Sequence, residues 1–543
     1  RPSQVLSVAD AALETASNAL RLLQAWLGRS DAATLAFVTT GAHGRANGEP
    51  AHASVWGLVG SAINEHPGRF RLIDRDRAAD DIQLALGCLD EPKLRVVTAG
   101  DVRALRIAML SPDPVETPAE AGTWVISGAG GVVGRTIGVH LVASGVAGRL
   151  VLLSRRGPAD PVLAQLRDEL AETGVRVDVL ACDVTQPGPV DAVFEPLGTI
   201  QGIVHAAGIL DDGVIEQLTS ERLAAVLRVK IDGAANLVAA GRRHAAQRII
   251  LVSSIAGVLG GAGQGSYAAA NSMLDAIARM ASDPVTRVQS HEWGLWATIS
   301  GMTSTITEAG ASRIASSGIA PLDAQAAETL FDDALGSGHP VLALTRLARG
   351  ALRTAQRQGT LLPAFRGLVV PEPGAEATDE PRLVLEVANA VGEERSLIVL
   401  RAIRAAAAEV LGYQQPDRLP TDRGLLDVGF DSLTAVELRN RIAALSGLRL
   451  PATLLFDHPT VRDIAEFVEA KLPQATSVSA SSEPRKVQLQ ALAQWLRSDT
   501  QELSPALEAS LWDVAAALQE RLEGRETDEE LFEWLDNELG EAS

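Results

Sequence analysis

The chain has 543 residues, 46% of them hydrophobic and 21% charged, with a formal net charge of −20. That length exceeds what one core supports, so two to four domains are expected, and the acidic balance argues against nucleic-acid binding, whose usual footprint is a basic face. Cys88 and Cys182 make neither a disulfide framework nor a metal cluster and suit a reducing cytoplasm, while no apolar run is long enough to span a membrane. Residue 1 is Arg and no signal-peptide pattern follows, so the chain is expected to be cut from something longer.

Residues 1–118 alternate helical and strand patterns: ALETASNALRLLQAWL, TLAFVTTG, SVWGLVGSAINEH and RFRLIDRD. That reads as α/β with buried strands. With no glycine fingerprint and no cluster of titratable groups, a structural role is expected. Pro112, Pro114 and Pro118 mark a boundary.

From Thr123 a strand (Trp124 to Ser127) runs into Gly128, Gly130, Gly131 and Gly134, with a helix from about Val132 and a second strand from Leu150 to Leu153. Glycines at these places let the backbone approach a pyrophosphate, and the helix amino terminus points donors at it. A lone fingerprint is weak, but this one sits in a βαβ context. The second strand ends in Ser154, Arg155 and Arg156 instead of an acidic residue, which suits the 2′-phosphate of NADPH. Two further strands, VDVLACD and IVHAAG, end at the cofactor edge. Asp183 is placed to meet the adenine, and Ala206, Ala207 and Gly208 leave room for cofactor. His205 lies among small residues with no carboxylate at useful spacing, so a catalytic role is not expected.

Residues 251–271 read LVSSIAGVLGGAGQGSYAAAN: a buried strand, a glycine-rich loop, then a helix entered near Tyr267. Tyr267 and Asn271 are i and i+4 on one helical face. Ser254 can hydrogen-bond a carbonyl oxygen and Tyr267 can protonate it. A phenol with a pKa near ~10 needs a nearby cation to act at neutral pH, and Lys230 is the candidate.

With these residues in view, positions 1 to about 370 resemble the ketoreductase of modular type I polyketide synthases, a branch of the short-chain dehydrogenase/reductases. The resemblance rests on VWGLVGSAINEHPGRF, SGAGGVVG, LLSRRG, HAAGILDDGVI, Ser254, Tyr267, Asn271 and WGLWATISGM. It implies that Lys230 lowers the phenol pKa and holds the ribose, that Asn271 fixes local geometry, and that Trp293 to Met302 begin a lid. Asn271 stands where most short-chain reductases carry Lys, the swap that marks the polyketide branch. By resemblance, Leu210-Asp211-Asp212 matches the signature of B-type enzymes, which give the D-alcohol. Leu259 replaces the Trp of A-types, and Ala269 replaces the Pro of epimerising B2 enzymes. A B1 assignment follows, with Asp212 and Leu259 as stereocontrol residues.

Past about Phe365 the composition turns rich in Pro, Glu and Ala, and residues 371–394 read as a linker. LIVLRAIRAAAAEVLG then resumes a helix, with Gly412 as its expected cap. Ser432 starts a further helix after Asp431, with Leu433, Val436 and Ile442 expected to face a core. GFDSL followed by LFDHPTVRDIAEFV resembles an acyl carrier protein over residues 395–472, which implies covalent 4′-phosphopantetheine on Ser432. Residues 473–485 are Ser-rich linker. In 486–543, Leu507, Leu511, Val514, Leu518 and Leu522 suit association with a second copy. Thr527 and Glu530 make a capping box before an apolar stripe of Leu531, Phe532, Leu535 and Leu539 on an acidic helix, which resembles a carboxy-terminal docking domain.

The expected architecture is α/β, with two Rossmann-like halves, structural (1–118) and catalytic (119–370), then a small all-α carrier bundle and a helical docking tail. The expected function is NADPH-dependent reduction of a carrier-bound β-ketoacyl thioester to the D-β-hydroxyacyl thioester. The resemblance implies a cytoplasmic homodimer whose partners are the acyl substrate, upstream ketosynthase and acyltransferase domains, and a downstream subunit. A free-standing reductase of soluble ketones is the alternative that the Ser432 region argues against. An inactive scaffold is the alternative that the intact Lys230, Ser254, Tyr267 and Asn271 set argues against.

Overall fold

A computed structural model describes residues 2–473 apart from internal stretches, of which 112–120, 298–317 and 370–380 are the longest. Near the amino end, β1 (Leu35–Thr40), β2 (Phe70–Arg75), β3 (Lys93–Thr98) and β4 (Asp101–Ala104) form a four-stranded sheet in that order. The pairs β1–β2 and β2–β3 are parallel, while β3–β4 is antiparallel.

The larger sheet holds β5 (Gly122–Ser127), β6 (Ala147–Ser154), β7 (Arg176–Ala181), β8 (Gly202–His205), β9 (Arg248–Ser254), β10 (Arg287–Trp293) and β11 (Val341–Leu344). Its order is β11-β10-β9-β8-β5-β6-β7, with every pairing parallel. Chain order reverses about β5, whose neighbours are β6 and β8. Such a switch point opens a crevice beyond the carboxyl ends of the strands, and the glycine loop follows β5 directly into it. Burial explains why these strands read as continuous apolar runs: Ile249, Ile250 and Leu251 of β9 are wholly inaccessible.

The two sheets are locked through helices. The Trp56 helix (Ala53–Glu65) lies against the Tyr267 helix (Gly265–Ala281). Gly57 makes that approach possible, because a Cβ there would stand 2.1 Å from the carbonyl oxygen of Ala268. Every residue of the Trp56 helix except Asn64 is buried, so it packs on several sides at once.

Beyond residue 392 the chain is helical: Glu393–Val410, Ser432–Ser446, Leu454–Asp457 and Val461–Lys471. Val399, Ile403, Leu438, Ile442, Ile464 and Val468 are fully buried and hold these helices together. The first helix ends as its sequence suggests, with Gly412 left-handed (φ 77°) and the Tyr413 amide donating to the Ala408 carbonyl at 2.9 Å. Two details differ from the sequence reading. A short helix, Arg382–Val387, interrupts the stretch read as linker, where Leu383 is buried; overall composition hid its few apolar residues. Leu433 does not face the core of its own bundle but packs towards Gly263. The tail residues 486–543, with their apolar stripes, lie outside the described residues.

Candidate active site and carrier serine

Three elements deliver the four candidate catalytic side chains to the crevice. Ser254 ends β9, where its Oγ accepts from the Ala256 amide at 3.3 Å. Lys230 comes from the long helix Ser220–Arg243, which Thr219 caps. Its buried Nζ donates to the Val252 carbonyl at 2.8 Å and lies 5.4 Å from the centroid of the Tyr267 ring. Burial draws the Lys230 ammonium down to about 8, so it still carries its charge at neutral pH. Burial pushes the Tyr267 phenol up, against hydrogen bonds from Asn271 and Ser254 that pull it down. Asn271 Nδ2 donates to the Tyr267 carbonyl at 2.9 Å, tying the helix turn locally. The Asn271 Oδ1 is buried with no hydrogen-bond partner among the described residues, so it can accept a bond from a group that enters the site.

His205, by contrast, is spoken for. Its Nδ1 lies 2.8 Å from Ser127 Oγ and its Nε2 3.1 Å from the Lys230 carbonyl, and burial pulls the imidazole down to about 4. A neutral ring that joins β5, β8 and the Lys230 helix is a structural group.

The glycine loop has the shape of a dinucleotide cradle. Gly128 has φ +77°, and a Cβ on it would stand 2.5 Å from the backbone of Ala206 and Ala207. A Cβ on Gly134 would meet the Gly128 carbonyl at 2.6 Å. At Gly130 a Cβ would meet no atom of the described residues nearer than 3.9 Å, so space is left beside the amino end of the helix Val132–Ala143. Ala206 donates its amide to the Ser127 carbonyl at 2.9 Å, and Gly208 faces the Lys230 stem, which a Cβ would approach at 3.0 Å. At the end of β6, Ser154 Oγ accepts from the Gly157 amide at 3.0 Å and fixes the turn. Arg156 pairs with Asp160 at 3.0 Å, whereas Arg155 is exposed and has no ion-pair partner among the described residues. Arg155 is therefore the freer guanidinium of the two for an anionic ligand. Asp183 Oδ1 accepts from both the amide and the hydroxyl of Thr185, at 3.0 and 2.8 Å, which leaves its other oxygen for a ligand.

Glu65 is the residue that sequence reading passed over. It ends the Trp56 helix, is wholly inaccessible, and accepts from the Ile215 amide (2.8 Å) and the Gly263 amide (2.9 Å). One carboxylate from the amino-terminal region thus pins both loops that border the Tyr267 site. Burial pushes it up to about 7 despite those bonds. The signal was a lone acid on an otherwise apolar helix. In the first of those loops, Asp211 pairs with Arg222 at 2.9 Å, and Asp212 Oδ2 accepts from Gln264 at 3.3 Å. Leu259 is half-buried beside Ile255, Phe365 and Val369, and Ala269 lies in the core. Of the expected lid only Trp293 to Ala297 fall within the described residues; the Trp293 and Trp296 rings pack at a tilt of 49° with centroids 5.1 Å apart.

Ser432 is exposed at the first turn of its helix. Asp431 caps that helix, accepting from the Leu433 and Thr434 amides at 3.0 and 2.8 Å.

Three family models match: a KR domain over residues 122–298, the Rossmann fold domain of polyketide synthase extender module SpnB over 2–107, and a phosphopantetheine attachment site over 401–468. The chain belongs to the modular type I polyketide synthase family. It carries a polyketide synthase ketoreductase domain together with a carrier domain. Among curated polyketide synthases, it is 38% identical over 492 residues to spectinabilin polyketide synthase system protein NorA′ of Streptomyces orinoci, covering 87% of this chain and 13% of that protein. It is 40% identical over 479 residues to polyketide synthase GfsB of Streptomyces halstedii, covering 84% and 8%. The chain therefore spans only a small part of these relatives' length. Among solved structures, the ketoreductase from the first module of phoslactomycin biosynthesis in Streptomyces sp. HK803 matches at 29% identity, with TM-score 0.58 over 65% of this chain and 85% of that one. An A1-type ketoreductase matches at 29% identity and TM-score 0.58, over 64% and 76%. Among the described residues, no helix is long and apolar enough to cross a membrane.

Proposed function

We propose that this polyketide synthase segment reduces a β-ketoacyl thioester, carried on phosphopantetheine at Ser432, to the β-hydroxyacyl thioester with NADPH. The observation that carries the reading is the convergence of Ser254, Tyr267, Lys230 and Asn271 beside a glycine cradle at the switch point of a parallel sheet. NADPH supplies hydride to the β-carbon when it is bound. Gly128, Gly130, Gly131 and Gly134 would receive its pyrophosphate, Arg155 its 2′-phosphate, and Asp183 its adenine.

The protein's own part is to hold the ketone and supply the proton. Ser254 and Tyr267 both donate to the carbonyl oxygen, which polarises the bond. As that oxygen becomes an alkoxide, Tyr267 passes it the phenolic proton, so hydride and proton together make the alcohol. Burial alone disfavours the phenolate that is left, and the Lys230 charge over the ring opposes that cost. Asn271 fixes the helix turn, and its Oδ1 can accept from a water that returns a proton to Tyr267.

In this reading residues 1–118 form the structural part of the ketoreductase, 119–370 the catalytic part, and 395–472 the carrier. Residues 486–543 pair subunits into a homodimer and hand the chain to a downstream subunit. Leu210-Asp211-Asp212, Leu259 and Ala269 support a B1 assignment and a D-configured alcohol. The test is turnover of a simple soluble β-ketoacyl thioester with NADPH, followed by chiral analysis. D-alcohol is expected; an L product refutes the stereochemical assignment, and no turnover refutes the reading.

A further inference from the structure

The Trp56 helix ends in a notch that the carrier fills. The last turn of any helix leaves carbonyls without intrahelical donors and concentrates negative partial charge. Here Arg439 donates to the Glu65 carbonyl, and Asn440 Nδ2 donates to the carbonyls of Asn64 (2.8 Å) and Glu65 (3.3 Å). Both donors come from the helix that begins at Ser432. The carboxylates of Glu65 and Glu216 attract the Arg439 guanidinium, which is only 6% exposed. Glu216 is held in place by His66, at 3.0 Å. Glu65, His66 and Glu216 lie close enough to share a cation, but Glu65 already accepts two amides and Arg439 supplies the positive charge.

The same helix reaches towards the catalytic crevice with its first turn. Leu433 Cδ1 lies 2.9 Å from where a Cβ on Gly263 would stand, so the absence of a side chain at Gly263 makes room for it. Gln217 Nε2 donates to Ser432 Oγ at 3.3 Å. Gly263 lies in the loop that leads into the Tyr267 helix, and Gln217 in the turn that follows Asp212. The Ser432 hydroxyl is thus held between the two loops that Glu65 pins.

Resting on the ketoreductase reading above, we propose that this notch is the docking site for the chain's own carrier helix. Arg439 and Asn440 read the end of the Trp56 helix, Leu433 seats over Gly263, and the fit sets Ser432 at the mouth of the Tyr267 site. Tethering alone would bring the carrier near in any orientation. Capping one helix end with an arginine from another domain fixes a single orientation, and a buried guanidinium tolerates no acidic substitute.

Two readouts on the full chain test this. In the first, Ser432 is loaded with a β-ketoacyl phosphopantetheine and its single-turnover reduction is compared with turnover of a soluble β-ketoacyl thioester. Arg439→Glu should slow the carrier-bound reaction by about tenfold or more and leave the soluble one unchanged. Adding Glu216→Arg should recover part of the loss. In the second, Gln217→Cys and Ser432→Cys are introduced with Cys88→Ser, a short bismaleimide is added because cysteine reaches less far than the glutamine it replaces, and an intrachain cross-link is sought by peptide mass spectrometry. It should form, and Arg439→Glu should suppress it. The second readout needs no activity, so it separates failure of docking from failure of the reductase reading. An unchanged carrier-bound rate in Arg439→Glu, an equal loss with the soluble thioester, or a cross-link that is absent, insensitive to Arg439→Glu or only between chains would each overturn the proposal.

Discussion

Gly57→Ala tests how tightly the amino-terminal region holds the catalytic helix. The added Cβ would stand 2.1 Å from the Ala268 carbonyl oxygen, 2.3 Å from its carbon and 2.5 Å from the Ala269 nitrogen. All three are backbone atoms, so no side-chain rotation relieves the contact. Relaxing it to an ordinary separation of about 3.5 Å requires the two helices to part by about 1.4 Å. Overpacking of this kind costs about 1–3 kcal/mol, which a chain of this size survives. The atoms displaced immediately follow Tyr267, however, and a misplacement of about 1 Å in a catalytic group costs on the order of 100-fold. The assay is kcat/KM for a soluble β-ketoacyl thioester at saturating NADPH, with NADPH binding measured alongside. We expect a loss of roughly 10- to 100-fold, with NADPH affinity nearly unchanged because the glycine cradle belongs to β5. Gly188→Ala, where no atom of the described residues lies within 4 Å of the new Cβ, is the control and should behave as wild type. A folded Gly57→Ala protein with wild-type kcat/KM would refute the argument that this contact positions Tyr267.

Tyr267→Phe removes the proton donor and keeps the ring, so turnover should fall at least ~100-fold with NADPH binding retained; wild-type turnover would end the acid assignment. Arg155→Ala should weaken NADPH far more than NADH, and more than Arg156→Ala does, because Asp160 already engages Arg156; equal losses for both cofactors would contradict it. The Lys230 ammonium is lowered to about 8, so its charge is present below that pH and lost above it. Activity should therefore fall on the alkaline side with a midpoint near this value, and a flat profile through pH 9 would remove Lys230 from the account. Deleting residues 486–543 should leave ketoreduction intact but reduce transfer to a downstream subunit, with a defect that shrinks at high protein concentration. Transfer equal to the full-length chain at micromolar concentration would contradict a docking role.

The candidate crevice was legible because its residues break local packing rules. A buried strand ending in Ser253-Ser254, a glycine run after β5 and arginines after β6 are poor choices for packing, and each marks a site. Periodicity also placed β5, β6, β8 and β9 near their observed bounds. What stayed hidden depends on contacts far apart in the chain. Gly57 looks like any helix glycine until the Tyr267 helix lies against it. Glu65 looks like a surface acid until Ile215 and Gly263, 150 and 198 positions away, donate to it. Leu433 reads as a core residue because helical period shows that a face is apolar but not what it meets. The region before Thr123, which showed no titratable cluster in the sequence, supplies both the clamp on the Tyr267 helix and the carboxylate that pins its loops.

The central claim is that a ketone held on Ser432 is reduced at the Tyr267 site. The most direct measurement loads the full chain with a β-ketoacyl phosphopantetheine, adds NADPH and follows the Ser432 peptide by mass spectrometry. The account predicts that the acyl group gains two hydrogens, that the gain is abolished by Tyr267→Phe, and that NADH supports it poorly. A loaded acyl group that keeps its mass with NADPH present, or gains the hydrogens equally well in Tyr267→Phe, would contradict it.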